Sequence, residues 1–123
     1  MKILIAEDEE VLQKVLVEKF QNEKYALRTV TRGTEVLETS EVFKPDCILL
    51  DLMLPGMDGF EVLKQLKSDP ELKQIPVIVL SNLGQDDEIK RVLALGAVDY
   101  LVKTQHPIDE VVEKVHMHVL KHD

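Results

Sequence analysis

The sequence has few of the features of secreted, membrane-spanning or nucleic-acid-binding proteins. Cys47 is the only cysteine, so no disulfide forms within the chain. No apolar run approaches the roughly 20 residues that a helix needs to cross a bilayer, and the first residues do not follow a signal-peptide pattern. Acidic residues outnumber basic ones by 23 to 15, whereas a nucleic-acid-binding surface needs an excess of basic residues. We therefore predict a cytoplasmic protein that binds neither nucleic acid nor membrane.

Short apolar runs alternate along the chain with longer amphipathic stretches. This alternation is typical of a parallel α/β sheet with helices on both faces. We predict strands at 2–6, 25–31, 47–51, 76–80 and 99–102, and helices at about 12–20, 33–43, 60–68, 86–95 and from 107 onward. The pattern shows no repeat, linker or low-complexity segment. A single domain over residues 1–123 is therefore expected.

Reactive polar residues directly follow four of the five predicted strands. Glu7 and Asp8 follow the first strand, Asp51 the third, Ser81 the fourth and Lys103 the fifth. In open α/β sheets, sites form outside the carboxyl ends of the strands, where the strand order reverses. Carboxylates meeting there repel one another unless a hard cation such as Mg²⁺ neutralises them. A carboxylate can also attack phosphorus as a nucleophile, and a lysine ammonium can pair with phosphoryl oxygens.

Four runs of the sequence resemble the receiver domains of two-component response regulators, including the single-domain chemotaxis regulators. The runs are ILIAED at 3–8, PDCILLDLMLPGMDG at 45–59, PVIVLS at 76–81 and GAVDYLVK at 96–103. The resemblance extends over essentially the whole chain. It implies a flavodoxin-like, doubly wound (βα)5 fold with a five-stranded parallel sheet in the order 2-1-3-4-5.

The resemblance also implies an acceptor and a metal site. Asp51 corresponds to the residue that is phosphorylated by a sensor histidine kinase, a phosphotransfer protein or a small phosphodonor. Glu7 and Asp8 correspond to the acidic pair that holds Mg²⁺, or Mn²⁺ in its place, together with Asp51 and the backbone carbonyl of Met53. Such a protein is not an enzyme acting on other substrates, because it catalyses only its own phosphorylation and dephosphorylation.

The implied switch involves three further residues. Ser81 and Lys103 correspond to the pair that contacts the phosphoryl group. Tyr100 is similar to the aromatic residue that moves inward when the hydroxyl residue reorganises. The movement changes the face formed by the fourth helix, the fifth strand and the fifth helix, where a downstream protein binds. We expect a monomer or a homodimer that forms on phosphorylation.

Two other functions are compatible with parts of the sequence. One is a receiver-like interaction module that works without phosphorylation, although every site position is filled here. The other is an aspartate-nucleophile phosphohydrolase, but such enzymes need a second acid two residues after the nucleophile, where this chain has Met53. A flavodoxin-like electron carrier is disfavoured, because its phosphate-binding loop needs hydroxyls and free amides rather than acids.

Some residues depart from the family pattern or receive a structural interpretation. Thr104 follows Lys103 where the commonest family form has a cis-proline, so either the bond is trans or a non-proline cis bond costs about 2.5–4 kcal/mol. Glu9 and Glu10 are assigned to the N-terminus of the first helix, where acids are favoured. His106 precedes Pro107 and is expected to be exposed in a loop.

Overall fold

The apolar runs form strands and the amphipathic stretches form helices in the computed structural model, which describes residues 1–82 and 84–121. The strands are β1 (Lys2–Ala6), β2 (Ala26–Val30), β3 (Cys47–Leu50), β4 (Val77–Ser81) and β5 (Asp99–Val102). The helices are α1 (Glu10–Asn22), α2 (Thr34–Phe43), α3 (Gly59–Ser68), α4 (Asp86–Ala94) and α5 (Ile108–Lys121). Among the described residues, no helix combines the length and apolarity that crossing a membrane requires.

The strands pair in parallel in the order β2-β1-β3-β4-β5, which confirms the predicted topology. β1, β3 and β4 form the centre of the sheet and are almost fully buried. Continuous apolar sequence suits them, because helices cover both of their faces. β2 is an edge strand with mostly exposed residues, which explains its looser apolar pattern.

Side chains of the central strands alternate between two separate hydrophobic clusters. In β1, for example, Leu4 belongs to the cluster that includes residues of α2, α3 and α4, whereas Ile3 and Ile5 belong to the cluster that includes residues of α1 and α5. Alternation follows from the period of two in a strand, which directs neighbouring side chains to opposite faces. The sheet therefore lies between two apolar layers, and its carboxyl edge remains for polar residues.

Candidate functional site

Backbone hydrogen bonds hold the two acidic strand ends side by side. The amide of Glu7 donates to the carbonyl of Val30 (3.1 Å), and the amide of Asp51 donates to the carbonyl of Ala6 (3.0 Å). The ladder thus continues one residue beyond β1 and β3. Glu7 and Asp51 start from fixed backbone positions at the point where the strand order reverses.

Three carboxylates meet at this edge, as their positions after the strands predicted. Glu7, Asp8 and Asp51 each offer an oxygen, and these oxygens lie within 4.8 Å of one another. Glu7 and Asp51 are 2% and 4% exposed, whereas Asp8 is on the surface. Hard carboxylate oxygens at this spacing suit Mg²⁺ or Mn²⁺, which bind through carboxylates, water and phosphate oxygens. The donor set therefore fits the implied metal.

Lys103 extends from the end of β5 into the acidic group. Its Nζ lies 2.8 Å from Glu7 Oε1, 2.9 Å from Asp51 Oδ2 and 2.9 Å from Glu9 Oε2. An ammonium has three N–H donors, so each can be matched to a different carboxylate. The side chain of Lys103 is only 8% exposed, and water therefore screens its contacts with buried Glu7 and Asp51 weakly.

Glu9 is a site residue that the sequence analysis missed. It occupies the N-cap position of α1 but makes no side-chain capping bond within the described part of the chain. Its carboxylate instead accepts from Lys103, and its amide donates to Glu7 Oε2 at 3.1 Å. The available signal was its position directly after the acidic pair, at the same sheet edge as Lys103. The predicted position of Glu9 at the N-terminus of α1 is confirmed, but among the residues that the structure describes its side chain does not cap the helix.

The charges of the site perturb both Glu7 and Lys103. Burial raises the pKa of Glu7 to about 7 from an ordinary 4.5, against the opposing hydrogen bonds from Lys103 and from the Glu9 amide. For Lys103, burial acts to lower the pKa, but hydrogen bonds to Glu7, Glu9 and Asp51 outweigh it and raise the pKa overall. One ammonium does not fully balance the surrounding carboxylates. This imbalance is a second observation in favour of a divalent cation.

The loop after β3 fixes the orientation of Asp51. The amide of Met53 donates to Asp51 Oδ1 at 3.0 Å, and the amide of Gly59 donates to the carbonyl of Leu52 at 2.9 Å. A Cβ atom at Gly59 would lie 2.4 Å from the Cα of Leu52, so only glycine permits this approach. The amide of Met53 and the ammonium of Lys103 thus contact different oxygens of Asp51.

Ser81 and Tyr100 lie next to each other beside the acidic group. Ser81 is fully buried as the last residue of β4, and its carbonyl accepts from the amide of Lys103 at 2.8 Å. Tyr100 is 8% exposed. Burial raises the pKa of its phenol, against a side-chain hydrogen bond with Ser81. The Lys103–Thr104 peptide bond is trans, which answers the question raised by the absence of proline.

A doubly wound sheet with carboxylates and a lysine at its switch point defines a class of site for hard cations and phosphoryl groups. The sequence profile of the response regulator receiver domain family matches residues 3–116. The phosphate regulon transcriptional regulatory protein PhoB of Rhizobium meliloti is 39% identical over 102 residues, which are 83% of this chain and 45% of that regulator. The chain thus spans less than half of that relative's length.

Solved structures agree with the sequence comparison. The receiver domain of Francisella response regulator 1452 superposes with a TM-score of 0.92 at 29% identity, covering 99% of this chain and 98% of that chain. The Mn²⁺-bound form of response regulator Rcp1 superposes with a TM-score of 0.80 at 29% identity, covering 91% of this chain and 87% of that chain. The chain belongs to the response regulator receiver domain family.

Proposed function

We propose that Asp51 is the phospho-acceptor of a two-component signalling system. The observation that carries this proposal is the pairing of buried Asp51 with Lys103 at 2.9 Å, inside a group of carboxylates suited to a divalent cation. The donor is a sensor histidine kinase, a phosphotransfer protein or a small phosphodonor. In the reaction, a carboxylate oxygen of Asp51 forms the new bond to phosphorus, and the donor's leaving group departs with its bonding electrons.

The surrounding residues position and neutralise the reacting groups. Glu7, Asp8, Asp51 and the backbone carbonyl of Met53 are the proposed ligands of Mg²⁺, with Mn²⁺ as a substitute. A bound divalent cation would neutralise the carboxylates and the oxygens of the transferred group. Lys103 supplies a further positive charge beside Asp51. The side chains of Ser81 and Lys103 would then contact the phosphoryl group, and this contact would couple phosphorylation to a conformational change in the rest of the domain.

The proposed output is a change in the face formed by α4, β5 and α5. Tyr100 is already buried and bonded to Ser81 in this structure. We propose that phosphorylation stabilises this inward arrangement, since a modification shifts populations between conformations that already exist. A downstream protein, or a second copy of the chain, would recognise the resulting face. The single-domain extent and the cytoplasmic location stay predictions, and so does the absence of catalysis on other substrates.

The first experiment is intact-protein mass spectrometry after incubation with acetyl phosphate, with and without Mg²⁺. Wild type should gain about 80 Da, one phosphoryl group, and should do so only with Mg²⁺. Asp51→Ala should gain nothing. Asp58→Asn is the matched control, because it removes a carboxylate from the same loop while asparagine still suits the N-cap of α3.

Three outcomes would contradict the proposal. Mg²⁺-dependent labelling that persists in Asp51→Ala would move the acceptor to another residue. A wild-type protein that stays unlabelled with acetyl phosphate and with a panel of histidine kinases, yet binds Mg²⁺, would favour an interaction module that works without phosphorylation. Turnover of phosphomonoesters would instead favour a phosphohydrolase.

A further inference from the structure

The free edge of β5 lies directly beside Lys103. β5 is the last strand of the sheet and pairs with β4. The amide of Lys103 points toward β4, because it donates to the carbonyl of Ser81 at 2.8 Å. Hydrogen-bonding directions alternate along a strand, so the amide and carbonyl of the preceding residue, Val102, point away from the sheet. Val102 is 6% exposed, and its polar backbone groups therefore need partners within the protein.

His106 supplies these partners from the turn after Lys103. The amide of Val102 donates to Nδ1 of His106 at 2.9 Å. The carbonyl of Val102 accepts from the amides of Gln105 (2.9 Å) and His106 (3.0 Å). We call the segment closed by these contacts the Val102–His106 turn. His106 was expected to be exposed, but its side chain is only 24% exposed.

The hydrogen bonds select one tautomer of the imidazole. Nδ1 of His106 also lies 3.1 Å from the carbonyl oxygen of Val102, so an Nδ1–H donor is a second geometric option. That carbonyl already accepts two amides, whereas the Val102 amide has no acceptor other than Nδ1 in the described contacts. A protonated Nδ1 would also place two donors against each other. The tautomer with its proton on Nε2 satisfies the Val102 amide and leaves the Val102 carbonyl to its two amide donors.

Lys103 is therefore held from two sides. Its own amide is fixed to Ser81 on β4, and the residue before it is fixed to His106 across the turn. Thr104 and Gln105, which follow it, are exposed and do not have the restricted backbone of proline. Since the Nζ of Lys103 must reach three carboxylates, the backbone position at the end of β5 decides whether it does.

We propose that His106 is a positioning residue for Lys103. Its imidazole accepts the free amide of Val102, which fixes the end of β5 and so directs the Lys103 ammonium onto Asp51. The expected effect of His106 on phosphorylation rests on the proposed function. The contact between His106 and Val102 can be tested independently of that function.

Two variants separate the hydrogen bond from the shape of the side chain. In His106→Asn, the carboxamide Oδ1 is bonded to Cγ as Nδ1 is in histidine, so an acceptor remains. In His106→Leu, the bulk remains and the acceptor is lost. Gln105→Ala is the control, because it changes an exposed side chain in the same turn and leaves the backbone donor in place.

The measurement is the rate of Mg²⁺-dependent labelling by acetyl phosphate as a function of donor concentration. His106→Leu should lower the maximal rate on the order of tenfold, with little change in the donor concentration that gives half the maximal rate. This loss is smaller than the roughly hundredfold loss that a 1 Å misplacement of a reacting group can cause. His106→Asn should stay within about twofold of wild type, as should Gln105→Ala. A wild-type rate in His106→Leu, or a failure of His106→Asn to restore the rate, would overturn the proposal.

A second measurement keeps the inference testable if wild type is not labelled at all. Amide hydrogen exchange at Val102 should be slow in wild type and in His106→Asn, and faster in His106→Leu. A double-mutant cycle in urea with Lys103→Met should then show coupling between positions 103 and 106. Unchanged exchange at Val102, or additive effects on stability, would refute the positioning role whatever becomes of the proposed function.

Discussion

At the scale of single residues, the site is organised around one ammonium group. Lys103 contacts Glu7, Glu9 and Asp51, and these contacts differ in exposure, because Glu9 is 54% exposed while Glu7 and Asp51 are buried. The pair with Glu9 is thus the contact that water screens most. Glu9 is also the one partner of Lys103 among these three that is not a proposed metal ligand, so it can be changed without altering the proposed metal site.

Glu9→Gln should speed labelling of Asp51. A partly exposed ion pair contributes about 0.2–1 kcal/mol, so the initial rate with acetyl phosphate should rise about 1.5- to 5-fold as Lys103 becomes freer. Glu10→Gln is the matched control, because it removes the same charge at the next residue, where Glu10 pairs with Lys14 at 3.2 Å. Equal acceleration in both variants would indicate a general charge effect and refute a specific role of Glu9.

At the scale of elements, the β3–α3 connection is constrained by close backbone contacts and a helix cap. Asp51 ends the buried run of β3, and α3 begins at Gly59, whose amide is bonded to the carbonyl of Leu52. The side chain of Asp58 caps α3 by accepting from the amide of Glu61 at 3.0 Å. A change that increases the distance between Gly59 and Leu52 is therefore expected to move Asp51 as well.

Gly59→Ala should therefore impair both stability and labelling. Its Cβ would lie 2.4 Å from the Cα of Leu52 and 2.9 Å from the carbonyl oxygen of Asp51, both backbone atoms. Overpacking of this kind costs about 1–3 kcal/mol, which urea unfolding would measure. Gly84→Ala is the control, because the nearest contact of its Cβ in the described part of the chain, apart from its sequence neighbours, would be the side chain of Val102 at an ordinary 3.5 Å. Equal stability of the two variants would contradict the argument.

The sequence predicted the elements and most of the site because local patterns report them directly. Apolar runs end where polar residues begin, so the five strands and the grouping of Glu7, Asp8 and Asp51 at one edge followed from local patterns. The strand order, which the structure confirms, followed from the resemblance to receiver domains. Strand ends moved by one residue, as at β4, which includes Ser81. The roles of these residues in phosphorylation stay predictions.

The contacts that the sequence did not predict depend on tertiary geometry. Glu9 matched a helix-terminus pattern and His106 a loop pattern, yet both bind groups that are distant in sequence or on the far side of a turn. Whether a side chain is solvated or binds a buried partner depends on its distance from residues of other elements, which a local sequence pattern does not contain. Sequence analysis therefore placed Glu9 and His106 in the correct part of the fold but did not identify the partners of their side chains.

At the scale of the whole molecule, Glu7 should make the metal-free protein less stable as pH rises. Its folded pKa, about 7, is raised above its ordinary 4.5, so the folded state binds the proton more tightly than the unfolded state. The resulting stability is present at acid pH and is lost as pH rises through 7. Between about pH 5.5 and 7.5, the contribution of Glu7 to the free energy of unfolding should decrease by about 2 kcal/mol.

The measurement is urea unfolding in EDTA for wild type and Glu7→Gln. The difference between the two proteins isolates Glu7, because other titrating groups are common to both. Wild type should lose stability relative to Glu7→Gln as pH rises. The Mg²⁺ affinity of wild type should decrease when the pH is lowered below about 7, because protons compete with the cation for the carboxylates. A difference that is independent of pH would contradict the raised pKa.

The two hydrophobic clusters have a consequence for how the domain can change over evolutionary time. The sheet separates them, with α1 and α5 on one side and α2, α3 and α4 on the other. A change in side-chain volume beneath one set of helices can be compensated by neighbours on that side alone. The two surfaces are thus free to diverge independently and to acquire different partners. The carboxyl edge of the sheet, where Asp51 and Lys103 meet, borders both sides and constrains them together.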